Sequence, residues 1–210
     1  MSTAGTIAPL WLSAIGDAGL PTRLRRARRK SSRLDTGLTA LGVAGALIAL
    51  AAIVAGATRL LATTPARRRL HYPFTGLPGR FNVAVSIFAH NGRAMAGVFG
   101  LLLIVQLALR NPAGPGPAQR MIRTVGELLL TGLVAANVLV VGASLGAYGT
   151  RMAWALLPHG PVELAAFATA LALYLQGRRR PLPSRQLVIT GAVSVLLLAA
   201  AAALETFVRT

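Results

Sequence analysis

Leu156-Leu157-Pro158-His159-Gly160-Pro161-Val162-Glu163-Leu164 is the passage that decides the fold. It is a polar, sharply punctuated stretch inside an otherwise apolar second half. Pro158 cannot continue a helix, because its ring removes a backbone donor and collides with the preceding turn. Pro161 suits the first position of a new helix. Gly160 serves as its N-cap, and Glu163 places a negative charge at the positive end of the helix dipole. One helix therefore ends near Leu157, and the next runs from Pro161 to Gln176, where Gly177 and Arg178-Arg179-Arg180 stop it. At about 1.5 Å per residue that second helix is roughly 24 Å long, short of the ~30 Å of bilayer hydrocarbon. The proline pair is thereby drawn to membrane depth, where open backbone is tolerated only inside protein or beside water. The expected fold is an all-α integral membrane protein of about five transmembrane helices, the fourth broken or re-entrant at Pro158–Pro161.

Working outward, the composition agrees with a membrane class. Hydrophobic residues make up 54% of the chain, charged residues 13%, and the mean hydropathy is +0.62, too apolar for an ordinary soluble domain. A net charge of +17 would ordinarily raise nucleic acid as a partner. Here the arginines fall in short runs between apolar spans, as membrane-flanking charges do, so nucleic acid is not expected. Cysteine is absent, which removes disulfides, thiolate metal sites and cysteine nucleophiles. Five acids and three histidines leave little material for acid–base catalysis.

The chain divides into a basic tail, residues 1–35, and a transmembrane helical domain, residues 36–210, with a polar connector at 62–82. The tail carries no positive charge ahead of its apolar part. Its basic residues, Arg23 to Arg33, come after it, the reverse of a secretory signal. A disordered or surface-lying cytoplasmic segment is expected. The first span is Thr36–Leu61, with Gly42/Ala46 and Gly45/Ala49 giving small residues at the four-residue spacing of close helix contact. Phe81 to Arg93 reads either as an interfacial amphipathic turn feeding a second span at Ala94–Leu109, or as the start of one long tilted helix from Phe81 to Leu109. The third span, Ile122–Tyr148, ends in Gly142-Ala143-Ser144-Leu145-Gly146. The last is Gln186–Leu204. With five crossings, 14 basic residues fall on the side of the N-terminal tail. The positive-inside rule then places the N-terminus in the cytoplasm of a bacterial plasma membrane and the C-terminus outside. The five arginines of the first connector weigh against this.

Few residues invite chemistry. His159 and Glu163 have the spacing of a metal pair, but zinc needs three or four ligands, and His71 and His90 lie elsewhere in the chain. The pair is expected to satisfy each other and the open backbone at the break. Glu127 sits four residues after Arg123 and is expected to pair with it. Asn137, at mid-span, is expected to bond a neighbouring helix. Asn91 and Glu205 complete the set of intramembrane polar candidates, Glu205 at the outer interface. No catalytic, cofactor-binding or metal-ligating constellation is visible, and no phosphate loop follows a strand.

The run Pro158-His159-Gly160-Pro161-Val162-Glu163-Leu164 resembles the Pro-His-Gly-x-x-Glu-Leu signature of the stage II sporulation protein M family of bacterial integral membrane proteins. Three weaker likenesses follow the same order. They are Phe88-Ala89-His90-Asn91 with Gly97 and Gly100, then Asn137 with Gly142 and Gly146, then Ala203-Leu204-Glu205-Thr206-Phe207-Val208. Two depart from the family: Val138 stands where a Gly usually follows the Asn, and the family's terminal Thr-Pro is missing. The resemblance covers about Arg80 to Thr210 and implies a non-enzymatic polytopic protein within envelope complexes. In spore formers that family is the membrane partner of a peptidoglycan-degrading machine. Two functions therefore stand side by side. One is a scaffold or accessory subunit holding other membrane or envelope proteins, with a homo-oligomer compatible. The other is a permease subunit driven by a separate ATPase, since nothing here binds nucleotide.

Overall fold

The computed structural model describes residues 22–70, 79–111 and 116–208, side chains from Asp35 onward. It is an all-α membrane protein. Among the described residues seven helices follow in order: α1 (Thr22–Leu61), α2 (Thr63–Leu70), α3 (Phe81–Arg110), α4 (Pro117–Tyr148), α5 (Thr150–Leu156), α6 (Gly160–Gly177) and α7 (Ser184–Phe207). The chain divides into two units at Asp35/Thr36. The described residues of the first unit, from Thr22, are helical, so the basic part of the tail is not disordered; residues 1–21 lie outside the described residues. In the second unit, four helical segments are each long and apolar enough to cross a membrane: Asp35–Leu61, α3, α4 and α7. The pair α5 and α6, bent by 67° across the break, supplies the fifth candidate.

Of the two readings of Phe81 to Arg93, the structure has the single long helix: α3 runs unbroken for 30 residues. One connector differs from expectation. The polar connector holds a helix of its own, α2, pinned to the end of α4: Arg67 Nε donates to Ala147 O (2.6 Å) and Tyr148 OH donates to Arg67 O (3.3 Å). Three arginines among its eight residues made that segment read as loop.

The core lies among α3, α6 and α7. Met95, Val98, Leu102 and Val105 of α3 meet Ala166, Ala170 and Leu173 of α6 and Leu198 of α7. The alanines of α6 let the helices approach, and the leucines of α3 and α7 fill the space between, an interlocking suited to helices that gain little from apolar burial alone. A second contact joins α1 to α4. A Cβ on Gly142 would come within 2.7 Å of Ala51 O, and one on Gly146 would overlap Ala55 O and Thr58. Only glycine permits this approach. Gly42 and Gly45 differ: a Cβ on either would meet nothing within 4 Å, so they hold no helix among the described residues.

These contacts sort the helix ends into two levels. Thr36, Gln176 and Gln186 share hydrogen bonds (Thr36 Oγ1 to Gln176 Oε1, 2.8 Å), which gathers the start of the first span, the end of α6 and the start of α7. Gly79 approaches Thr206 and Phe207, which gathers the start of α3 and the end of α7 at the opposite level. The start of the first span and the end of α6 thus share one level, and the start of α3 and the end of α7 share the other.

Candidate functional site at the broken helix

The break is built locally. The left-handed Gly149 (φ 61°) separates α4 from α5, a conformation that glycine adopts without the penalty of a side chain. α5 then ends at Leu156, and Pro158 prevents its continuation. His159 caps α6 through its backbone: its carbonyl accepts from Val162 N (3.1 Å) and Glu163 N (3.0 Å). Much of the open backbone is thus satisfied by the turn itself.

The side chains behave differently from the expected mutual pairing. Glu163 Oε1 accepts a hydrogen bond from Asn91 Nδ2 of α3 at 2.8 Å. His159 is buried, 7% exposed, and its imidazole makes no hydrogen bond among the described residues. The reason is geometric. Glu163 is one helical turn beyond the cap, where its side chain turns toward α3, and Asn91 is there to meet it. Two helices therefore meet in one polar contact, Asn91 from α3 and Glu163 from α6.

The other polar candidates stand apart. Glu127 accepts from Arg123 Nε (3.1 Å) and from Tyr174 OH (2.7 Å), a link between α4 and α6 at the opposite level. Asn137 is exposed and donates to Leu133 O of its own helix (2.9 Å), so the expected bond to a neighbouring helix is not made. His90 is exposed, and His71 lies outside the described residues. No group of three His, Cys, Asp or Glu among the described residues is arranged to hold a metal ion.

One residue escaped the sequence reading. Gln106, 3% exposed, grips the connector between α6 and α7. Its Nε2 donates to Gly177 O (2.6 Å) and Arg180 O (3.1 Å), and its Oε1 accepts from Leu182 N (2.7 Å). Arg110 adds a bond to Leu182 O (2.9 Å). The signal was present: Gln106 is the one amide in the apolar run Ala94–Leu109. An uncharged side chain near the end of a span reads as unremarkable until its partners are known.

No known protein family, no curated protein and no solved structure matches this chain.

Proposed function

We propose that the protein is a non-enzymatic membrane scaffold, an accessory subunit that holds other proteins of a bacterial envelope complex. The observation that carries this reading is the solid middle of the α3/α6/α7 bundle. Its polar groups collect at two levels, Asn91–Glu163 at one and Gln106 with its connector at the other. Between them Val98, Leu102, Ala166, Ala170 and Leu198 are closed against one another. Ser194 is the single fully buried polar side chain of that middle among the described residues, and its Oγ has no partner. A substrate path through this bundle would need a polar lining or a water-filled gap. A rigid bundle with broad apolar flanks instead suits a platform for other membrane helices. The resemblance at Pro158–Leu164 points the same way.

The second reading, a permease subunit energised by a separate ATPase, draws on the carboxylate of Glu163 beside a broken helix, since ionisable groups at such places commonly serve ions or substrates. Glu163→Gln separates the two. It preserves the size and much of the hydrogen bonding of Glu163 while removing its charge. In a strain lacking the native gene, a scaffold predicts full complementation by Glu163→Gln accumulated at parental levels. Complementation lost at parental levels of folded protein would overturn the scaffold and favour transport. The orientation belongs to the same reading. Reporters fused after Lys30 and at the C-terminus are expected to give a cytoplasmic signal for the first and an external one for the second. Matching signals would defeat a five-crossing arrangement.

A further inference from the structure

We propose that two copies of this chain pair in the membrane through α4, with Asn137 of each copy bonded to Asn137 of the other. Asn137 stands at the middle of the largely apolar run Leu128–Ala147 of α4, between residues 128–136 and 138–147. At about 1.5 Å per residue each flank is roughly 14 Å long. The amide therefore lies near the centre of the ~30 Å of hydrocarbon, too deep for its short side chain to reach water. A carboxamide carries two N–H donors and an acceptor oxygen. One donor is used on Leu133 O of the same helix (2.9 Å), and Asn137 makes no other hydrogen bond among the described residues. The side chain is exposed, so its Oδ1 and its second N–H face lipid tails, which can satisfy neither.

The face around this amide is open. Leu129, Leu133, Ala136 and Val140 follow one another along it at three- and four-residue steps, and all are exposed. Nearer its start α4 is covered by α3, where a Cβ on Gly126 would come within 2.6 Å of Leu101. Gly142 and Gly146 meet α1 from the other side of α4. Neither contact covers Asn137. The amide also selects the occupant. All copies enter the membrane with one orientation, so two α4 helices related by a two-fold axis run parallel and bring like residues together at one depth. An amide complements itself there: the spare N–H of each Asn137 donates to the spare Oδ1 of the other, and both are satisfied. A carboxylate on a different protein would take the N–H and leave Oδ1 open, and a cation would do the reverse. Ala136, beside the amide, is small enough to let the two backbones approach. A single Asn in an apolar helix interface also fixes its register. This pairing does not rest on the scaffold reading, since it uses neither the broken helix nor the α3/α6/α7 core.

The chain contains no cysteine, so a single introduced cysteine can form a disulfide only between copies. Leu139 and Val140 make a matched pair for this test. Each is 55% exposed and they are neighbours in the chain, but Val140 lies on the side of Asn137 and Leu139 on the far side of the helix. The full chain can be reconstituted in liposomes of phosphatidylethanolamine and phosphatidylglycerol and oxidised. Val140→Cys is expected to give a cross-linked dimer, and Leu139→Cys far less of it. Single-molecule photobleaching in the same liposomes measures the association without a cross-link. Asn137→Leu should weaken it roughly eight-fold, the loss of two reciprocal bonds of average transmembrane strength. Equal cross-linking at the two positions would reduce the contact to random collision and overturn the pairing. A dimer as strong in Asn137→Leu as in the parent would overturn it as well. A parent that bleaches as a monomer would likewise overturn it and leave Asn137 to a helix of a different protein.

Discussion

Met95, Leu102, Leu173 and Leu198 are sealed inside α3, α6 and α7, whereas the most apolar 18-residue stretch of α1 buries no residue in the protein and that of α4 buries 11%. Both groups of helices are apolar, with hydropathies of 2.4 for the α1 span, 2.2 for α4 and 2.5 for α7. Hydropathy therefore does not decide which helix is interior. In a bilayer, lipid tails are as apolar as leucine, so burial between helices follows shape and hydrogen bonding. The α3/α6/α7 bundle has both, through the alanines of α6 and the amide bonds of Gln106 and Asn91. The α1/α4 pair relies on the close approach allowed by Gly142 and Gly146.

That contrast can be broken at several points. The largest effect is expected from Gln106→Leu. It strands Leu182 N and the carbonyls of Gly177 and Arg180, and an unsatisfied buried group costs about 1–3 kcal/mol. A clear fall in the detergent melting temperature should follow. An unchanged melt would show that water replaces the amide and that the connector is not held by it. Gly146→Leu should act on the other group. Overpacking of this kind costs about 1–3 kcal/mol, here confined to the α1–α4 contact. Spin labels on α1 and α4 should report a wider separation in that variant while the core melts as before. A core that melted early would mean the two groups are one cooperative unit.

A smaller effect is expected at the break. Glu163→Ala removes the partner of Asn91, and transmembrane hydrogen bonds measured by double-mutant cycles average about 0.6 kcal/mol. His159→Ala should destabilise less, because the imidazole holds no hydrogen bond among the described residues and its capping carbonyl survives the change. The coupling between Asn91→Ala and Glu163→Ala in a thermal-stability cycle should be of that size, and zero coupling would dismiss the bond as incidental. The smallest effect belongs to Leu139→Ala on the outer face of α4, where 55% of the leucine is exposed. Its melting should stay within about 0.5 kcal/mol of the parent, as for surface changes away from special features. A larger loss would mean that this face is covered by another protein in the purified particle.

The amino-acid sequence by itself determined the helical class, the spans and the break. Each depends on local physics: runs of apolar residues long enough for a bilayer, and prolines at Pro158 and Pro161 that interrupt the backbone ladder. The tertiary structure decided the partners. Asn91 and Glu163 are 72 residues apart and Gln106 and Gly177 are 71 apart, so no local pattern joins them. His159 and Glu163 looked like a pair because they are neighbours in the chain. The turn of α6 instead leaves the capping to the His159 backbone and carries Glu163 across to α3. Asn137 looked like an interhelical link because it is polar at mid-span, yet it bonds back to Leu133. Sequence spacing sets which face of a helix a side chain occupies, and only the packing of the other helices sets what that face meets.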